Sequence, residues 1–130
     1  MKIYDEKNNL LSIVIKADEI NERINFVTNN EEEMQVASFN FNQDSVIDNH
    51  IHLNQNRNIY TTPEIIFVVK GSVKVSLFDD QEKFIKEVEI TSGDTIAFLR
   101  GGHGLVVKEG SKLVEAKQGP YVEKLDKKRF

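Results

Sequence analysis

The chain of 130 residues has three histidines, and each lies where an imidazole has chemistry open to it. His50 and His52 stand one residue apart in His-Ile-His, and His103 sits in the run Gly101-Gly102-His103-Gly104. On a strand, residues i and i+2 share a face, so His50 and His52 would project side by side toward one metal ion. Glu64, ahead of the apolar run IIFVV, would add a carboxylate, and His103 a third imidazole from its turn. Imidazole with carboxylate suits Fe, Mn, Ni, Cu or Zn. Three or four protein ligands leave coordination positions free for water or a substrate, as catalysis requires. Taken singly, the same residues are ordinary: two histidines at the period of an exposed strand, a turn histidine and a solvent-facing glutamate. A bare HxH is a weak motif. The conjunction carries the weight, because every histidine falls at a ligand position.

Other residues bear on a site at that place. Arg57, in the polar stretch NQNRN just beyond the histidines, would clamp a carboxylate or phosphate through paired hydrogen bonds. The commoner fate of such a residue is an exposed loop arginine. Glu115 and Lys117 share strand parity, either as a cavity pair that tunes each other's pKa or as an ion pair at a strand edge. Tyr60 and Tyr121 would line a pocket or pack on its rim. There is no cysteine, hence no thiolate ligand, no Cys nucleophile and no disulfide framework. No GxSxG element occurs, and Gly101-Gly102 lacks the Lys and Ser/Thr of a phosphate loop. Those two glycines would let the backbone turn sharply at His103.

The elements that must position these residues read as strands. Val73, Val75 and Leu77 alternate with Ser72, Lys74 and Ser76, and Phe84, Val88 and Ile90 oppose Glu87 and Glu89. MQVASFNF (34–41) has a similar period, and KIYDE and LLSIVIK look like strands added to the main sheet. Ile65 to Val69 is apolar at every position, which predicts a strand covered on both faces. ADEINERI offers at most one helical turn. Turn residues at 70–72, 79–81, 92–94, 109–111 and 119–120 separate the runs at short intervals, the mark of a β-sandwich or barrel. One domain of all-β class is expected, with N-terminal strands in 1–33 and a solvated basic tail in 121–130.

Composition bounds the function. With 17 basic and 21 acidic residues the net charge is −4, which disfavours nucleic acid as a partner. KLDKKRF (124–130) is the one basic cluster. The opening MKIYDEKNN is polar and lacks the apolar core of a secretory leader. No apolar run is long enough to cross a bilayer, so a cytoplasmic protein with no membrane partner is expected.

Assembled, these residues resemble the cupin superfamily. Its first motif, HxH, then Glu, six residues and Gly, is matched by His50-Ile51-His52, Glu64, IIFVVK and Gly71. Its second, Gly-Asp, a strand and one His, is matched by Gly93-Asp94, TIAFL and His103. Eleven residues, Leu53 to Pro63, separate HxH from Glu here, where cupins usually have three or four. GGHGLVV, LVEAKQGPY and DKKRF look like a subgroup of small single-domain cupins found near surface-polysaccharide biosynthesis genes, in which an Arg like Arg57 also follows HxH. The resemblance implies a double-stranded β-helix, a jelly-roll barrel, with His50, His52, Glu64 and His103 as ligands of one divalent transition metal. It implies a small polar ligand such as a sugar or sugar nucleotide, with Arg57, Tyr60, Glu115 and Lys117 around it. Two alternatives stand beside a metalloenzyme: a metal-free sugar-nucleotide isomerase, and a non-catalytic scaffold for a small molecule or partner chain. Exposed strand edges and the N-terminal segments favour a homodimer.

Overall fold

A computed structural model describes residues 1–123 and 125–130. Ten strands carry the fold: β1 (Lys2–Tyr4), β2 (Leu10–Ile15), β3 (Ile24–Phe26), β4 (Ala37–Phe39), β5 (Glu64–Lys70), β6 (Ser72–Phe78), β7 (Phe84–Thr91), β8 (Thr95–Phe98), β9 (Gly102–Val107) and β10 (Lys112–Lys117). A single 3-10 turn at Ala17–Glu19 is all that ADEINERI yields. Every strand pair is antiparallel. The protein is all-β. Among the described residues no helix is long and apolar enough to cross a membrane.

Two sheets build the body, a five-stranded one in the order β1-β2-β8-β5-β10 and a three-stranded one in the order β7-β6-β9. The alternation in the sequence explains how they meet. Val73, Val75 and Leu77 of β6 and Val88 and Ile90 of β7 point inward from the smaller sheet. They join Val14, Ile66, Val68, Ile96 and Phe98 of the larger sheet in one buried cluster. Burying an aliphatic side chain of this size contributes about 1.5–3 kcal/mol, so this cluster is the main source of stability. Phe84 departs from the expected inner row. The register shifts at Leu77/Phe78, and Phe84 lies half exposed, edge-on to Phe78.

Asp94 ties the β7–β8 turn to the chain just after β2. Its buried carboxylate accepts hydrogen bonds from Lys16 Nζ at 2.7 Å, Thr91 N at 2.8 Å and Ala17 N at 3.1 Å. Burial by itself raises a carboxyl pKa, but these donors prevail and hold Asp94 below its ordinary value. The Gly-Asp pair of the second motif therefore anchors the β7–β8 turn to the end of β2. It does not reach the site.

The hairpin β3–β4 forms its own small sheet. Val27 and Met34 from this region pack on Leu10, Ile13 and Leu99, covering part of the outer face of the larger sheet. The rest of that face is bare: Phe67 and Val69 of β5 and Val114 of β10 are exposed. The expectation that Ile65–Val69 is covered on both sides is corrected, since the hairpin reaches β2 and stops short of β5. The strand expected at 34–41 shortens to β4, Ala37–Phe39.

Two edges lie on the same side. At one side of the body Lys83, ahead of β7, pairs with Glu6, just after β1. At the other side β9 bonds only to β6 and β10 only to β5. Among the described residues no strand closes this side. The inward-facing Leu105 and Val107 of β9 are accordingly 37% and 46% exposed, although Val75 and Val73 beside them are fully buried.

Candidate functional site

Glu64 opens β5 and pairs in register with Phe98 of β8 on one flank and Lys117 of β10 on the other. Side chains directly across a ladder point to the same face, so these three form a row on the inner surface of the larger sheet. Facing them is His103 of β9, in register with Leu77 of β6. Its approach depends on Gly101, whose φ of 75° suits a residue without a side chain, and where a Cβ would lie 2.4 Å from the Phe78 carbonyl oxygen.

The geometry brings Glu64 and His103 together. His103 Nε2 lies 3.7 Å from Glu64 Oε1, and the two side chains are 27% and 15% exposed. That separation is an electrostatic contact, longer than a formed hydrogen bond. The His103 ring stacks flat on Phe98, with centroids 3.8 Å apart and planes 11° from parallel. Attraction to His103 draws the Glu64 carboxyl below its ordinary value against the opposing effect of burial, and Lys117 and Lys127 add to it.

Lys117 extends the row, but its partner is not Glu115. Its ammonium donates to Asp126 at 3.0 Å and sits 4.7 Å from the Tyr121 ring centroid. Hydrogen bonding to Asp126 raises the Lys117 pKa, with Glu115 and Glu64 acting in the same direction, and lowers that of Asp126 in return. Glu115 shares the inner parity of Lys117 yet is exposed, because no strand among the described residues covers β10. The described part of segment 121–130 is thus no free solvated tail. It folds back, and Phe130 meets Phe78 edge-on with centroids 5.1 Å apart. Lys124, first of the basic run, lies outside the described residues.

His50 and His52 are elsewhere. They belong to an arm, residues 41–60, in which every residue is exposed and no strand forms. The side-by-side projection expected of an HxH strand is absent, and the two rings stand nearly perpendicular with centroids 5.3 Å apart. His50 Nδ1 contacts the Asp48 carbonyl oxygen at 2.9 Å. Arg57 and Tyr60 ride on the same arm, and Tyr60 is 87% exposed. Among the described residues no three His, Asp or Glu side chains gather as a metal ion needs. The four expected ligands form two pairs, Glu64 with His103 on the body and His50 with His52 on the arm.

Sequence reasoning missed two members of this site. Phe98 was legible only as a strand residue in TIAFL, and Asp126 only as part of a charged run. Their roles arise from sheet register and from the return of segment 121–130, which no local pattern encodes. Two surface grooves lie away from the site. One runs between β2 and the β3–β4 hairpin, past Ile13, Ile15 and Val27, and the other lies at the arm root beside Arg23, Asn40 and Phe41.

A family described as a domain of unknown function (DUF6016) matches residues 7–90, more than half of the chain. The matched span runs from β2 into β7 and contains His50, His52 and Glu64, ending before His103. No curated protein and no solved structure matches the chain.

Proposed function

The chain belongs to the DUF6016 family of domains of unknown function, and on that premise we propose that it is a jelly-roll protein binding a small polar molecule. The site is the mouth between its sheets, where a divalent transition metal is held. Glu64 and His103 carry the reading, because they converge at 3.7 Å from two facing sheets. They are half of the ligand set that the resemblance to cupins implies. The other half, His50 and His52, shares one arm. Nitrogen and oxygen donors of this kind fit Fe, Mn, Ni, Cu or Zn. The division of β5, β8 and β10 to one sheet and β6, β7 and β9 to the other supports the jelly-roll assignment. A bound ion would supply Lewis acidity toward a ligand oxygen. Lys117 lies in the same row as Glu64 and would hold an anionic group of a sugar derivative, as would Arg57 once the arm lies over the mouth.

Metal analysis of tag-free protein tests this, alongside Glu64→Gln, His103→Ala, His50→Ala and His52→Ala. Near-stoichiometric metal in the parent, lost in each variant, supports the site. A metal-free parent after loading with each candidate ion sinks it. A second reading draws on the same observation. The Glu64–His103 pair is complete without the arm, so it suits metal-free proton transfer, as in a sugar-nucleotide isomerase. Isomerisation that persists in a chelator and stops in His103→Ala would favour that reading. Ligand-induced thermal stabilisation without turnover would favour a cytoplasmic binding scaffold over both.

A further inference from the structure

We propose that residues 41–60 are an exchange arm, which closes the open side of a second copy of this chain by pairing with that copy's β9 and β10. The arm would thereby carry His50 and His52 to the Glu64 and His103 of the other copy. Three observations converge on this, and the metal reading is not among them.

The first is an unmet need on the body. Among the described residues β9 and β10 each present one row of unpaired backbone groups, and the inward-facing apolar Leu105 and Val107 are partly exposed beside an unclosed interior. Bare edges of this kind are templates for another strand.

The second is an unmet need on the arm. Val46, Ile47, Ile51 and Leu53 are 91%, 67%, 83% and 71% exposed, and no residue from 41 to 59 makes a backbone–backbone hydrogen bond among the described residues. A structureless segment of twenty residues is uncommon in a small domain unless it has a function. Twenty residues suffice for two strands matching the six-residue β9 and β10, with some left for a turn.

The third is the hinge, which favours a second copy over closure on the same body. The Glu33 carboxylate accepts hydrogen bonds from Tyr60 N at 2.9 Å and Thr61 N at 2.8 Å, and from the Thr61 hydroxyl. Thr62 precedes the buried Pro63, and Pro63 leads directly into β5. Proline restricts both its own φ and the residue before it. The exit of the arm is therefore set within three residues. Short constrained hinges promote exchange between copies, and reciprocal exchange closes with two-fold symmetry.

The chain has no cysteine, so introduced thiols are the only ones a maleimide can link. Ile51→Cys places one on the arm, and Gly104→Cys places one on β9, where a Cβ meets nothing within 4 Å. The double variant, treated with a short bis-maleimide at low protein concentration, is expected to become a covalent dimer. An equal mixture of the two single variants is expected to give the covalent heterodimer. A crosslink confined to one chain overturns the proposal, as does failure to crosslink. Light scattering on the unaltered chain guards against a folding defect in the variants, with a dimer mass expected and a monomer mass overturning the exchange. A covalent dimer that binds no metal would leave the exchange standing while sinking the metal site.

Discussion

Glu64 and His103 belong to different sheets and meet at 3.7 Å over the flat ring of Phe98. Neither side chain is needed to hold the sheets together, because the buried cluster beneath them is apolar and continuous. Glu64→Gln and His103→Asn should therefore leave the unfolding midpoint within a few degrees of the parent. Both should weaken binding of whichever metal or sugar derivative stabilises the parent by about tenfold or more, the loss of one charged contact of roughly 1.4 kcal/mol. Thermal-shift titration reads both quantities in one experiment.

Asp94 makes the opposite kind of contribution. Asp94→Asn removes the charge that Lys16, Thr91 and Ala17 converge on, at a cost of about 2 kcal/mol at neutral pH. The folded-state pKa lies below the ordinary 3.8. The carboxylate's contribution is thus full above that value and is lost as pH falls through the depressed folded pKa. Urea unfolding of parent and variant should show a constant gap from pH 7 to pH 5, narrowing below about pH 4.

Ser12 is fully buried in β2, and its hydroxyl finds no partner among the described residues. It occupies the same inner row as Phe98, its neighbour in register. A buried hydroxyl without a partner costs about 1–3 kcal/mol, so Ser12→Ala should be neutral or stabilise by about 1 kcal/mol. Chemical denaturation checks this, and a clear loss of stability would assign the hydroxyl a partner.

Arg57 is the only trypsin site within residues 41–60. If the arm docks on a second copy, cleavage after Arg57 should slow several-fold as protein concentration rises through the dimerisation range. An arm free in solution would be cut at a rate per molecule independent of concentration. Mass spectrometry of the 57/58 cut follows this directly.

Much of the body was legible in the sequence because its physics is local. The period of two in Val73-Val75-Leu77 and in Val88-Ile90 is the pattern of a half-buried strand, and these residues are the core. The turns at Gly71 and Gly93, both with φ of 90°, fall where glycine marked them. What the sequence did not disclose depends on distant register or on partners. Phe67 and Val69 are as apolar as Ile66 and Val68, and no local pattern tells which face the hairpin will fail to cover. Glu64 and His103 are 39 positions apart and meet through the packing of two sheets. The spacing of His50 and His52 suits a strand, and the arm that bears them has none of its own.

An arm fastened at both roots and bare between them also divides assembly into two kinetic orders. The body from β5 to β10 is a contiguous run of antiparallel strands, and its collapse is a first-order event within one chain. Capture of the arm by another copy, as proposed above, would be second-order and slow on dilution. Refolding followed by two probes should therefore separate, with burial of the aliphatic core indifferent to protein concentration and ordering of the histidine arm proportional to it.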